Sequence, residues 1–158
     1  MQLVYKPEEY YLNTIIKSIE FIQNQKAMSV ARVNIIGHRI LNYVIAFIWM
    51  INGLLCKVLN FVPRHEMIVS KILGAEYARL LTVLIGLAEV IMGIWILSGF
   101  KTKLNAITQI VVIATMNALE FILVPQLLLW GKFNSIFACM LVFTVYYNEF
   151  VLNKQSIR

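Results

Sequence analysis

Aspartate is absent from this chain of 158 residues; all eight acidic side chains are glutamates. Charge of either sign is scarce. Charged residues make up 14% of the chain and hydrophobic ones 60%, against about 25% and roughly 45–50% in soluble domains. A water-facing globular domain is therefore excluded. The two cysteines, Cys56 and Cys139, form no C-x-x-C pair, so the dithiol signature of membrane thiol oxidoreductases is missing. His65 and Glu66 have no spaced partner that would complete a metal set, and no metal is expected. The net charge is +6, but the cations are scattered between apolar stretches rather than gathered on one face, which argues against nucleic acid as a partner. The first thirty residues lack a basic region followed by an apolar core and a small-residue cleavage site, so no signal peptide is expected there. No nucleophile–base pair or phosphate loop is visible, and an enzyme acting on its own is not expected.

What the chain has instead is apolar length. Mean hydropathy is +0.76. Ile40–Cys56 carries no charge and is bounded by Arg39 and Lys57; Leu80–Phe100 carries only Glu89, Leu104–Pro125 only Glu120, and Phe133–Leu152 only Glu149. A helix needs about 20 mainly apolar residues to cross the hydrocarbon core. The pattern predicts spans near 35–56, 77–99, 104–125 and 133–152, hence an all-α, membrane-spanning four-helix bundle over 34–152, with an N-terminal segment 1–33 and a short tail 153–158.

Two shorter helices are expected outside the spans. Pro7 suits a first helical turn, and Glu8 and Glu9 favour its positive end. Leu12, Ile15, Ile16, Ile19 and Ile22 then recur at helical spacing. This reads as an amphipathic helix on the membrane interface, the alternative being a helix packed on a partner's soluble part. After the break at Asn60–Pro63, Met67, Ile68, Ile72 and Leu73 form one stripe opposite His65, Glu66, Ser70 and Lys71, which suggests a short helix capping the outer end of the bundle. Cations flanking the spans set orientation. With four spans, Lys6, Lys17, Lys26, Arg32, Arg39, Lys101, Lys103, Lys154 and Arg158 share one side, against Lys57, Arg64, Lys71, Arg79 and Lys132 on the other. Both termini are thus expected in the cytoplasm, in a plasma membrane of bacterial type.

A carboxylate at bilayer depth costs roughly 2.5–3.5 kcal/mol even on lenient scales, so such groups turn inward, pair, and mark sites. Placed by depth, the polar residues form two tiers. The inner one holds Arg39, Asn42, Asn148 and Glu149, with Arg39 and Glu149 expected to form a structural ion pair. The outer one holds Asn52, Lys57, Asn117 and Glu120, with Trp49 a turn below, Glu89 deeper and His65–Glu66 above. Trp49, Asn52, Lys57, His65, Glu66, Glu89, Asn117 and Glu120 are the candidate ligand-binding residues, with Lys57 expected to pair with Glu120. Interhelical hydrogen bonding is the competing, purely structural account of this tier.

The run Trp49-Met-Ile-Asn-Gly53-Leu54-Leu-Cys-Lys57 with His65-Glu66, and Gly86-Leu-Ala-Glu89-Val-Ile-Met-Gly93, resemble the first- and second-helix signatures of the DoxX-like membrane family. The resemblance spans Asn34 to Leu152 and carries over to Trp49, Gly53, Lys57, Glu66, Glu89 and Gly93. It implies a bundle distantly similar to quinone-linked subunits of a thiosulfate oxidoreductase. Some relatives are linked with redox complexes, others with membrane-protein assembly. Two readings follow. One is an accessory of a membrane redox system that binds a quinone or lipid-like molecule between its helices. The other is a non-enzymatic subunit that stabilises or assembles a larger membrane complex with another membrane protein.

Overall fold

The computed structural model describes residues 7–128 and 133–153. Lys6, Lys132, Lys154 and Arg158 of the orientation count lie outside them, as do the side chains of Glu8 and Glu9 and the tail beyond Asn153. Among the described residues every regular element is helical. The order is α1 (Pro7–Met50), a π-helical segment (Ile51–Val58), α2 (Arg64–Leu73), α3 (Ala78–Ser98), α4 (Thr102–Leu123), a 3₁₀ turn (Pro125–Leu127), α5 (Asn134–Tyr147) and a second π-helical segment (Asn148–Asn153). Four helices are long and apolar enough to cross a membrane: Tyr10–Val58, Ala78–Ser98, Thr102–Leu123 and Asn134–Asn153. Large apolar side chains such as Phe47, Ile91, Ile122 and Phe143 point outward from them, as lipid-facing residues do.

The amphipathic N-terminal helix exists, but it is not a separate element. Helical structure runs unbroken from Pro7 through Met50, 44 residues, or about 65 Å at ~1.5 Å per residue. That is about twice the ~30 Å hydrocarbon core. No break near residue 34 would let the first part fold down onto the membrane plane, so it leaves the bundle as an arm. Residues 10–30 of that arm are exposed all round.

Punctuation in the chain accounts for the other ends. Asn60 adopts φ 56° after the first π segment, a left-handed conformation that asparagine tolerates. Pro63 precedes α2, where its fixed φ suits a helix start. Gly99 (φ 65°) ends α3 in the left-handed region that glycine enters at no steric cost. The short outer helix α2 forms as expected and packs mainly on α3.

The helices pack in the ring order α1, α3, α4, α5, and the last helix returns to α1 mainly through its π segment Asn148–Asn153. Ile45, Ala46, Trp49, Met92, Ile96, Ala106, Ile113 and Val145 form the buried core. The closest seam joins the first helix to α3. A Cβ on Gly53 would run into the Gly86 carbonyl, and one on Gly86 would lie 2.7 Å from the Gly53 carbonyl oxygen and 2.9 Å from Lys57 Cβ. Two backbones meet here with no room for a side chain, the usual way helices gain close packing where lipid removes the hydrophobic drive.

Candidate functional site

At the outer end of that seam, the first helix winds as a π-helix over Ile51–Val58. In an α-helix Asn52 and Lys57, five residues apart, would point about 140° away from each other. Bonding at i→i+5 widens the turn and brings them closer to one face, and both reach Glu89. Lys57 Nζ donates to Glu89 Oε1 at 2.5 Å and Asn52 Nδ2 donates to Oε2 at 3.0 Å. Lys57 is 4% exposed and Glu89 7%. The buried carboxylate therefore has a counter-charge and a partner on each oxygen. Arg79 holds the segment's end, donating to the carbonyls of Lys57 (2.9 Å) and Val58 (2.7 Å), which satisfies groups that a helix terminus leaves open.

This corrects one expectation. Lys57 pairs with Glu89, not Glu120. Glu120 is half-buried, and its carboxylate makes no hydrogen bond among the described residues. Its position at the outer end of α4 leaves it beyond the reach that the π winding gives Lys57.

Beside the ion pair lies a cavity of about 210 Å³ lined by Ile48, Trp49, Asn52, Glu89, Ile113, Asn117, Asn134, Phe137, Ala138 and Leu141. It brings together four of the candidate ligand-binding residues: Trp49, Asn52, Glu89 and Asn117. Ile48 and Phe137 on its rim are exposed, so it opens sideways between α1 and α5, where the ring of helices is loosest. Trp49 contributes its ring face only, because its indole N–H donates to Gln109 Oε1 at 3.0 Å. Asn134, which sequence reasoning missed, donates to Asn117 Oδ1 at 3.4 Å.

Lys57 stands behind Glu89 rather than in the cavity wall. His65 and Glu66 sit on α2, away from it. Glu66 accepts from Asn60 Nδ2 at 3.3 Å, lies 3.9 Å from Arg79 and lines an outer groove with Ser70 and Lys71. Burial, then the charges of Lys57 and Arg64, push the His65 pKa down to about 4, so it faces the outer tier as a neutral ring at pH 7.

A model of the DoxX-like family matches residues 46–147, the stretch that holds Trp49, Lys57, Glu89 and the cavity. The chain belongs to the DoxX-like family. No curated protein and no solved structure matches it significantly. In this DoxX-like protein the family match ends before the second π segment and begins within α1, so the N-terminal arm and part of the inner tier lie outside it.

The inner tier overturns a second expectation. Arg39 is exposed and forms no ion pair with Glu149. The residue before it, His38, takes the inward position. His38 Nδ1 lies 3.0 Å from Asn148 Oδ1, Asn148 Nδ2 donates to Asn42 Oδ1 at 2.6 Å, and Asn42 Nδ2 lies 3.2 Å from His38 Nε2. These distances close a ring if the imidazole is neutral with its proton on Nδ1, each donor meeting one acceptor. Glu149, one residue further, is held instead by Thr102 Oγ1 (2.7 Å) and Asn153 Nδ2 (3.0 Å), both donating to Oε1.

The signal that was missed lies in α4. Thr102, Asn105, Gln109, Asn117 and Glu120 recur at intervals of three, four, eight and three, one stripe along an otherwise apolar helix. Asn105 and Gln109 are buried and bonded to each other at 2.6 Å.

Proposed function

We propose that this membrane protein binds the head group of a quinone, or of a lipid with a comparable polar ring, in the cavity between α1 and α5, and serves a membrane redox system as an accessory. The cavity carries the reading. A 150 Å³ apolar hole admits benzene, so about 210 Å³ has room for one substituted ring. The amides of Asn52, Asn117 and Asn134 offer polar partners to a carbonyl, while Trp49, Ile113, Phe137 and Leu141 supply apolar walls, the usual mixture in a ligand site. The lateral opening lets a tail remain in the bilayer. The positive-inside count supports both termini in the cytoplasm, which sets the cavity in the outer half of the membrane.

The test uses purified full-length protein in detergent and a short-tailed quinone, read by quenching of tryptophan fluorescence. Saturable quenching that is lost in Ala138→Phe, which fills the cavity, supports the reading. Quenching that is linear in quinone and equal in both proteins sinks it. The second reading, an assembly subunit, draws on a different observation: the exposed arm of α1, with Tyr10, Leu12, Ile15, Ile19 and Ile22 uncovered. Deleting residues 1–30 while quinone binding persists, with loss of the cellular role, would favour it.

A further inference from the structure

We infer that the inner tier holds a single Na⁺ ion beside Glu149. The site is a hole of about 20 Å³ whose polar lining is Asn42, Thr102, Asn105, Gln109, Asn148 and Glu149. One water-sized probe needs roughly 10–15 Å³, so the hole takes one water or one ion of similar size. Its wall is built rather than incidental. Asn105 is 4% exposed, Gln109 3%, Asn148 3% and Glu149 6%.

Charge gives the sign of the occupant. Both protein donors to Glu149 reach Oε1; Oε2 has no protein partner among the described residues. Among the described residues no cation stands within salt-bridge distance. Arg39 and Lys103 are exposed, the Lys101 ammonium sits over the Phe100 ring, and His38 has its two nitrogens engaged by Asn148 and Asn42. A buried carboxylate with no counter-charge is strongly unfavourable. The outer tier meets the same problem with Lys57. The inner tier has no such residue among the described ones, and it has a hole.

Chemistry gives the kind of occupant. The oxygens around the hole are one carboxylate, one hydroxyl and the side-chain carbonyls of four amides. Asn42 Oδ1, Asn105 Oδ1 and Gln109 Oε1 each accept one hydrogen bond, and each carbonyl keeps a second lone pair. Hard oxygens suit hard cations. Among the described residues no three His, Cys, Asp or Glu side chains gather for a transition metal. A single carboxylate balances a monovalent ion, and the small hole favours Na⁺ over K⁺. The hole lies between the first turns of α4, at Thr102 and Asn105, and the start of the second π segment, at Asn148 and Glu149.

Full-length protein in detergent at fixed pH and ionic strength tests this, with NaCl, KCl or choline chloride as the salt. Radioactive ²²Na⁺ should bind saturably and be displaced by Na⁺ but not by choline. The Tm should rise by roughly 5–10 °C when Na⁺ reaches about a hundred times its Kd, and K⁺ should not reproduce the rise. Glu149→Gln should abolish both effects. If that variant does not fold, Thr102→Val, which keeps the carboxylate and removes one oxygen, should weaken ²²Na⁺ binding at least tenfold. No saturable ²²Na⁺ binding overturns the inference, as does binding retained in Glu149→Gln. A Tm that follows pH but is equal in all three salts also overturns it, and assigns the counter-charge to a proton.

Discussion

The two polar tiers solve one problem in opposite ways. Each must place a glutamate inside an apolar bundle. The outer tier pairs Glu89 with Lys57 and saturates both carboxylate oxygens from within the chain. The inner tier joins α1 to the last helix through the hydrogen-bonded ring of His38, Asn42 and Asn148, and leaves Glu149 with one oxygen unpartnered among the described residues. A buried ion pair is self-contained, whereas the loss of either member is severe. A ring of hydrogen bonds loses less on damage than a buried ion pair does. The outer tier is thus a finished structural unit with a cavity at its side. The inner tier has a small hole beside its glutamate instead.

The largest expected effect breaks the outer pair. Lys57→Met strands the Glu89 carboxylate and should cost roughly 3–5 kcal/mol, measured by chemical or thermal unfolding in detergent. Lys57→Met combined with Glu89→Met should recover much of that loss; a double variant as damaged as the two singles together would show that the ion pair is not the source. Next comes the seam beneath it. Gly86→Ala puts a methyl 2.7 Å from the Gly53 carbonyl oxygen and should cost about 1–3 kcal/mol, the range for overpacking a tight contact. If the cost is near zero, the two helices are further apart than this crossing requires.

A comparable effect is expected in the inner tier. Asn148→Leu opens the ring and leaves His38 and Asn42 each short of a partner, which should cost about 1–3 kcal/mol. Arg39→Ala, at the exposed neighbouring position, should stay within about 0.5 kcal/mol. Equal damage from the two would restore Arg39 to the clasp. The last effect is one of pH. The His65 pKa lies at about 4 in the folded protein, below the ordinary value of 6.5, so the unfolded chain binds the extra proton first as pH falls. Stability should then decline between pH 6.5 and 4 and be unaffected by this group above 6.5. His65→Gln should flatten that part of a Tm-against-pH curve; an unchanged slope would remove His65 as its origin.

Much of this was legible in the chain. The four spans follow from apolar length alone, and Glu89 was marked by its isolation within one of them. Trp49, Asn52, Glu89 and Asn117 converge as depth placed them. What periodicity could not supply was phase. Arg39 and His38 are one residue apart, about 100° around a helix, and charge favoured the wrong one. The partner of Lys57 was misassigned because a reading at 3.6 residues per turn sends Lys57 away from Asn52, whereas the π segment brings them together. No residue type announces π winding, although two such segments end the first and last helices, and both tiers are built on them. Thr102, Asn105 and Gln109 were overlooked because neutral side chains do not stand out in hydropathy, despite their shared stripe.

The unbroken helix from Pro7 to Val58 has a mechanical meaning. At about 1.5 Å per residue it is a rod some 75 Å long, without an interior proline to act as a joint. Its outer third carries Trp49, Asn52 and Lys57, and its other end stands clear of the membrane. A grip on the arm that twists it by a few degrees turns the cavity wall by the same angle. On the proposed reading, a ligand that shifted Asn52 would by reciprocity swing the arm.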